Sequence, residues 1–340
     1  MSKVLVTGGL GYIGSHTILD LLERGLSVVC VDNLSKSDPK TLDRIERITG
    51  NKVPFYQTDI CDDAALEKVF EKEVGIESII HFAAYKSVPE SVKYPLKYFK
   101  NNVNGLMVLI EKAQKYKVKN FIFSSSCSVY GEPQNLPVTE DTPIGLALSP
   151  YAATKQIGEQ ILTQTVENTE AFSLVILRYF NPVGAHPEGK LGELPLQSPD
   201  NLVPYVTQTA IGKREQLTVF GKDYPTKDGT CIRDYIHVMD IATAHSQAIS
   251  FAREKLKAGQ TDFFNLGSGK GYSVLEVLNT FEKVNNVKVN YKFGAKRPGD
   301  VTAVFSSNDK ARSLLGWKIK FNIEEMMASA WKWEQFLQGE

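Results

Sequence analysis

Apolar positions along the chain follow two alternating patterns. The runs KVLVT (3–7), SVVCVD (27–32), VPFYQTD (53–59), SIIHFA (78–83), NFIFSSS (120–126) and SLVILRYF (173–180) are rich in β-branched and aromatic residues. Such nearly continuous apolar runs predict strands buried on both faces. Between them, helical patterns lie near 13–24, 63–73, 92–116 and 150–168. Strands alternating with helices predict an α/β fold, a doubly wound parallel sheet of Rossmann type, with ligands at the carboxyl ends of the strands.

After Phe180 the pattern changes. NPVGAHPEGKLGELPLQSPDNLVP is dense in Pro and Gly and reads as loop. A helix is expected near 202–212, then a strand LTVFG, a long turn KDYPTKDGT and a helix from about His237 to Arg253. DFFNLG reads as a strand returning to the main sheet, and GYSVLEVLNTFEKV and DKARSLLGW as helices. The expected division is a dinucleotide-binding part over 1–180, with return elements near 237–266, and a smaller α/β substrate-binding part over 181–340.

Composition narrows the classes. The 340 residues are 42% hydrophobic and 23% charged, with a formal net charge of zero, which argues against a nucleic-acid groove or an anionic membrane surface. No apolar run approaches the roughly 18 residues of a membrane span. Cys30, Cys61, Cys127 and Cys231 make no CxxC spacing, and the five histidines make no HExxH. Reduced thiols, no metal site and a cytoplasmic protein are the expectation. The first strand begins so early that no signal peptide is expected.

Candidate chemistry begins at VLVTGGLGYIGSH, where Gly8, Gly11 and Gly14 stand between a strand and a helix. Glycines there allow a tight turn, a close approach to a pyrophosphate and close helix packing, while the helix N-terminus offers N–H groups to the phosphates. Asp32 ends the second strand at the distance expected of a carboxylate accepting bonds from an adenosine ribose, which favours NAD over NADP. Asp59, ending the third, is readable as an adenine neighbour or equally as a strand-end cap.

In LSPYAATKQIGEQIL, Ser149-Pro150 is a helix-start signal. Tyr151 and Lys155 then share one helical face. A nearby ammonium and the positive helix end favour a phenolate over a phenol whose pKa is otherwise about 10. Alone, the spacing is that of an ordinary surface pair. It gains meaning from the strand end Ser124-Ser125-Ser126, where a nicotinamide would lie and a serine hydroxyl could share a proton with Tyr151.

Glycine turn, Asp32, serine-rich strand end and YxxxK occur in the order of the extended short-chain dehydrogenase/reductase family, which the chain resembles over nearly its whole length. The branch it resembles most epimerises C4 of UDP-hexoses. That likeness rests on VDNL, HFAAYKSVPES, NNVNG, FSSSCSVYGEP, SPYAATK, RYFNPVGAHP, NLVPYV, LTVFGKDYPTKDGTCIRDYIHVMD, NLGSGKGYSV and KRPGD. It implies NAD-dependent interconversion of UDP-galactose and UDP-glucose through a 4-keto sugar. Tyr151 would move the proton, Lys155 would lower its pKa, and Ser126 would bond O4. Tyr12, Ile13, Asn33, Ile60, Phe82, Ala83, Ala84, Lys86, Asn101, Ser124 and Tyr179 would join the glycines, the aspartates, Tyr151 and Lys155 around NAD. Asn101 is equally readable as a structural amide. Asn181, Asn201 and Leu202 would touch sugar and phosphate, with Lys86 also near the substrate. Thr218 and Phe220 would line the uracil, Arg233 and Arg297 pair with the diphosphate, and Asp300 accept from the uridine ribose.

Related sugar-nucleotide dehydratases carry acid/base carboxylates just after the strand-end serine or threonine. Here Ser126 is followed by Cys127 and Ser128, and Glu132 comes later. A UDP-glucuronate 4-epimerase, which would want an added basic group, stays open. A non-catalytic NAD-sensing module would typically lack the Tyr or the Lys. Val304 stands where some relatives have a bulky tyrosine, so the resemblance implies room for the N-acetyl group of UDP-GalNAc or UDP-GlcNAc. It also implies a homodimer built on the stretches near 92–116 and 150–168.

Overall fold

The computed structural model describes residues 3–297 and 300–339. Its strands are β1 Lys3–Thr7, β2 Ser27–Asp32, β3 Phe55–Gln57, β4 Ile76–His81, β5 Asn120–Ser126, β6 Ser173–Tyr179, β7 Asn181–Val183, β8 Leu217–Phe220, β9 Ile232–His237, β10 Thr261–Leu266, β11 Gly271–Ser273, β12 Tyr291–Gly294 and β13 Ala303–Val304. Its helices are α1 Tyr12–Glu23, α2 Lys40–Thr49, α3 Asp63–Lys72, α4 Val88–Lys93, α5 Pro95–Tyr98, α6 Gly105–Lys115, α7 Pro150–Thr169, α8 Leu202–Ala210, α9 Val238–Lys255, α10 Val274–Asn285, α11 Asp309–Leu314 and α12 Ile323–Gly339. A π-helical stretch, Phe99–Asn104, joins α5 to α6.

The main sheet has seven strands in the order β10-β6-β5-β4-β1-β2-β3. Every pairing in it is parallel. The apolar strands bury both faces by alternation. Val4, Val6, Val28, Cys30, Ile80, Ile122, Val175 and Leu177 enter one core. Their neighbours Leu5, Val29, Val31, Ile79, Phe121, Phe123, Leu174 and Ile176 enter the other. At roughly 1.5–3 kcal/mol per buried large side chain, a one-residue slip would put each strand in register conflict with both layers. A separate core holds Val206, Val219, Tyr235, Leu278, Phe281 and Met327, around β9 and the short strands β7, β11 and β13 that extend from it.

One expectation needs correction, and α2, β9 and α12 have no counterpart among the expected elements. The stretch near 92–116 is not one helix. Pro95 disfavours a helical Tyr94, whose φ/ψ are −132°/61°, and the chain re-enters through α5 and the π-helix. Helix α2 carries little apolar signal, because the chain before it is rich in Ser, Asp and Pro and it buries only Thr41, Arg44 and Ile45. IRDYIH forms β9, and His237 at its end caps α9, the helix expected from about that residue, through Nδ1, which accepts from Met239 N. The final helix α12 was missed although Asn322 and Glu325 bond each other's backbone N–H as a capping box.

Candidate active site

Strand β1 ends at Thr7, and the chain turns through Gly8 at φ +68°. A Cβ on Gly8 would lie 2.6 Å from Ala83 N, and one on Gly14 2.3 Å from Gly8 O. Only glycine permits this close crossing of backbones. Gly11 opens α1 without a side-chain cap, so the first-turn N–H groups face outward as an anion site. The turn forms one end of a cleft of about 440 Å³, within the range of cofactor sites.

The expected cofactor residues gather here. Gly8, Gly11, Tyr12, Ile13, Gly14, Asp32, Asn33, Ile60, Phe82, Ala83, Ala84, Lys86, Asn101, Ser124, Tyr151, Lys155 and Tyr179 all line the cleft. Asp59 stands beside the wall instead. It is exposed, its Oδ2 accepting from Asn33 Nδ2 at 3.1 Å and its Oδ1 from Cys61 N at 2.8 Å. Asp32 is held by bonds from Leu10 N, Leu34 N and Ser37 Oγ, which fix its carboxylate at the strand end. The π-helix turns Asn101 to the cleft, while its neighbour Asn102 is the structural amide, bonded to both backbone groups of Tyr85 and to Thr154 Oγ1. An uncapped helix end, a turn a Cβ would block and a fixed strand-end carboxylate together fit a dinucleotide.

The far end of the cleft carries the candidate chemistry. Ser149 Oγ accepts from Ala152 N at 3.1 Å and starts α7, which sets Tyr151 and Lys155 on one face. Lys155 is buried and donates from Nζ to Ser124 O at 2.6 Å. Burial lowers its pKa to about 8, against the pull of Glu159. Tyr151 hydrogen-bonds Ser126, whose Oγ also accepts from Ser128 N at 3.2 Å. Burial pushes the Tyr151 hydroxyl up to about 12; the Ser126 bond works the other way and Cys127 adds to the rise. The lysine is aimed at a backbone carbonyl and is itself depressed by burial, so in this arrangement desolvation dominates the phenol. Tyr179 donates to Ser124 Oγ. The Cys127 thiol is raised to about 12 by burial, which makes it no thiolate nucleophile.

The expected substrate residues other than Lys86 and Tyr151 lie off this cleft wall. Cys127, next to Ser126, feels the charge of Arg233, and Cys231 feels Arg233, Asp300 and Arg297. These side chains therefore form one charged group beyond Ser126. Arg233 donates to Val301 O and Ile232 O at 2.8 Å each and pairs with Asp300 Oδ1 at 3.3 Å. The Arg297 guanidinium lies 4.0 Å from the centroid of Phe220. Asn181 Nδ2 donates to Asp234 O at 3.0 Å. Thr218 pairs with Lys292 between β8 and β12. Asn201 stands at the N-cap of α8, which Leu202 opens. Val304 is buried with Val129 and Phe180. Of KRPGD, Pro298 and Gly299 lie outside the described residues. Sequence reasoning missed the segment Gly192–Ser198, which with Asp200 forms one wall of the cleft; its Pro- and Gly-rich loop carries no motif.

With this geometry in hand, the relatives are informative. Residues 5–330 match the family described as GDP-mannose 4,6 dehydratase. A UDP-glucose 4-epimerase of Bacillus subtilis is 50% identical over 97% of this chain and 96% of that protein. The chain belongs to the UDP-glucose 4-epimerase family. A solved UDP-glucose 4-epimerase from Bifidobacterium longum, in complex with NAD+ and UDP, is 44% identical with a TM-score of 0.94 over 98% of both chains. A UDP-Glc/GlcNAc 4-epimerase from Campylobacter jejuni is 37% identical, TM-score 0.84, over 99% of this chain and 100% of that one. Within this epimerase family, the strand-end serine here is followed by Cys127 and Ser128, and Glu132 is exposed beyond Gly131. The acid/base carboxylate that a dehydratase needs beside Ser126 is not at these positions.

Proposed function

We infer that the chain interconverts UDP-galactose and UDP-glucose by epimerisation at C4, with NAD as a retained cofactor. The observation that carries the reading is the Tyr151–Ser126 pair at the end of a dinucleotide-shaped cleft, beside the Arg233, Arg297 and Asp300 group. In this reading the part over 1–180, with its return elements, holds NAD, and the part over 181–340 holds the UDP-sugar. Tyr151 Oη takes the proton of the sugar 4-hydroxyl and gives it back, while Ser126 Oγ holds O4. Bound NAD supplies the acceptor and returning donor of the C4 hydride, and its positive ring favours the phenolate. Lys155, fixed by Ser124 O, presents a charge to the cofactor ribose and the phenol. Arg233 and Arg297 hold the diphosphate with fork-shaped donors, so that remote binding energy positions a loosely held hexose. Incubation with UDP-galactose should give UDP-glucose, with a transient absorbance of reduced cofactor. Neither product nor absorbance would refute the reading.

A second substrate class follows from Val304. Its side chain, buried in one cluster with Val129 and Phe180, is smaller than the tyrosine that some relatives carry there, and the proposal rests on that difference in size. We expect measurable turnover of UDP-GalNAc beside that of UDP-galactose, at a rate that differs by no more than about 200-fold, the scale on which an apolar pocket discriminates small groups. Rapid UDP-galactose turnover with none of UDP-GalNAc would exclude it. The proposed setting is a cytoplasmic homodimer. Among the described residues no helix is long and apolar enough to cross a membrane.

A further inference from the structure

One residue bridges the cofactor cleft and the substrate side without belonging to either expected set. Glu193 lies on the cleft wall, and its Oε1 accepts from both Lys86 Nζ at 2.9 Å and Asn201 Nδ2 at 2.8 Å. Lys86 follows β4 on the cofactor side. Asn201 starts α8 in the smaller part. The carboxylate is 14% exposed, against 55% for the lysine, so its bonds are poorly replaced by water. It is also close enough to Tyr12, in the first turn of α1, to raise that hydroxyl beyond what burial does.

The backbone that presents Glu193 is fixed. Trp333 Nε1 of α12 donates to Glu193 O at 2.8 Å. A Cβ on the preceding Gly192 would sit 2.5 Å from the Trp333 ring, and Gly192 bridges to Ala185. The side chain is therefore held at one place while its two donors come from opposite sides. The two donors share one oxygen, one on each lone pair, so withdrawing one leaves more of the carboxylate's charge to the other. An anionic diphosphate that draws on Lys86, or a ligand that draws on Asn201, changes what the other feels.

We propose that Glu193 couples the two sites: its carboxylate straps the 192–200 segment over the cofactor and transmits occupancy of the UDP side to cofactor retention. This rests on the reading of Lys86 as a cofactor contact and Asn201 as a substrate contact. The coupling is reciprocal, as linkage requires. Glu193 is a positioning residue, since its polar contacts are to protein groups.

The test follows cofactor loss rather than turnover. NAD content of the purified holoprotein is measured during dialysis, with and without UDP, for wild type, Glu193→Ala and Glu193→Gln. Glu193→Ala should lose NAD about tenfold faster or more, the scale of a charge-assisted bond. The isosteric Glu193→Gln keeps an acceptor oxygen and should fall between; it also serves if the alanine variant fails to fold. UDP should slow the loss in wild type and have no effect in Glu193→Ala, a difference that a merely structural role would not produce. Equal NAD loss in all three proteins, or equal protection by UDP, overturns the coupling. Failure of wild type to interconvert UDP-galactose and UDP-glucose would instead overturn the functional reading beneath it.

Discussion

A tyrosine held near 12 cannot serve as a base at neutral pH until something favours its anion, so the charges around Tyr151 decide the chemistry. Removing only the hydroxyl, in Tyr151→Phe, should lower kcat by about 10²–10⁴-fold while cofactor content is unchanged; steady-state rates with UDP-galactose measure it. Lys155 gives a second, independent handle. Its folded-state pKa is about 8, against roughly 10.4 unfolded. Between those values the unfolded chain binds the extra proton, so this group makes stability rise with pH from about 8 towards 10. Below 8 both states carry the proton, and the burial penalty is constant. Cofactor-free wild type should therefore gain about 2 kcal/mol relative to Lys155→Met over pH 8–10. Urea unfolding at both pH values checks it, and parallel pH profiles would show that the lysine is not depressed.

Among the elements, the ones legible in the sequence are those whose pattern and contacts agree. Strands β1, β2, β5 and β6 are continuous apolar runs, and α7 is announced by Ser149-Pro150 within one residue of its start. The glycine turn was legible for the same local reason: its requirement is written in residue type. Gly14→Ala tests that requirement. The added methyl meets Gly8 O at 2.3 Å, backbone that cannot yield without moving Ala83. A loss of about 1–3 kcal/mol and of bound NAD is expected, read by thermal melting and by cofactor absorbance; a variant that holds NAD as wild type does would mean the turn relaxes. What stayed hidden depends on partners far along the chain. β9 is strand because β7, β11 and β13 pair with it, and none of those short segments has a period of its own. The Glu193 contacts join residues more than a hundred positions apart on the Lys86 side and eight apart on the other. The buried pair of Arg178 and Glu159, which also receives Ser125 Oγ, underlies the serine strand end and gave no local sign.

At the scale of the whole molecule, buried polar groups as well as apolar surface fix how distant segments meet. Asp234 on β9 is fully buried and accepts from Ser268 and Ser306, backbone and side chain in both cases, and from Gly269 N. That carboxylate ties the strand beside Arg233 to the turn after β10 and to the segment after β13, and so sets the charged group against the main sheet. Outside, the surface is uneven. Val88, Val92, Leu96 and Met107 are 46%, 62%, 70% and 42% exposed, all within the broken helical stretch from α4 to α6. We propose that these apolar side chains belong to an interaction surface, with a second copy of the chain, which the family resemblance implies, as the partner. A zero formal net charge opposes such pairing with no long-range repulsion. Sedimentation equilibrium should give twice the chain mass of 37.8 kDa. The double substitution Val92→Asp and Leu96→Asp, at exposed positions that cost the fold little, should shift the protein to monomer by placing unpaired charges in the contact. A monomeric wild type, or a charged variant that still sediments as a dimer, would put the interface on another face.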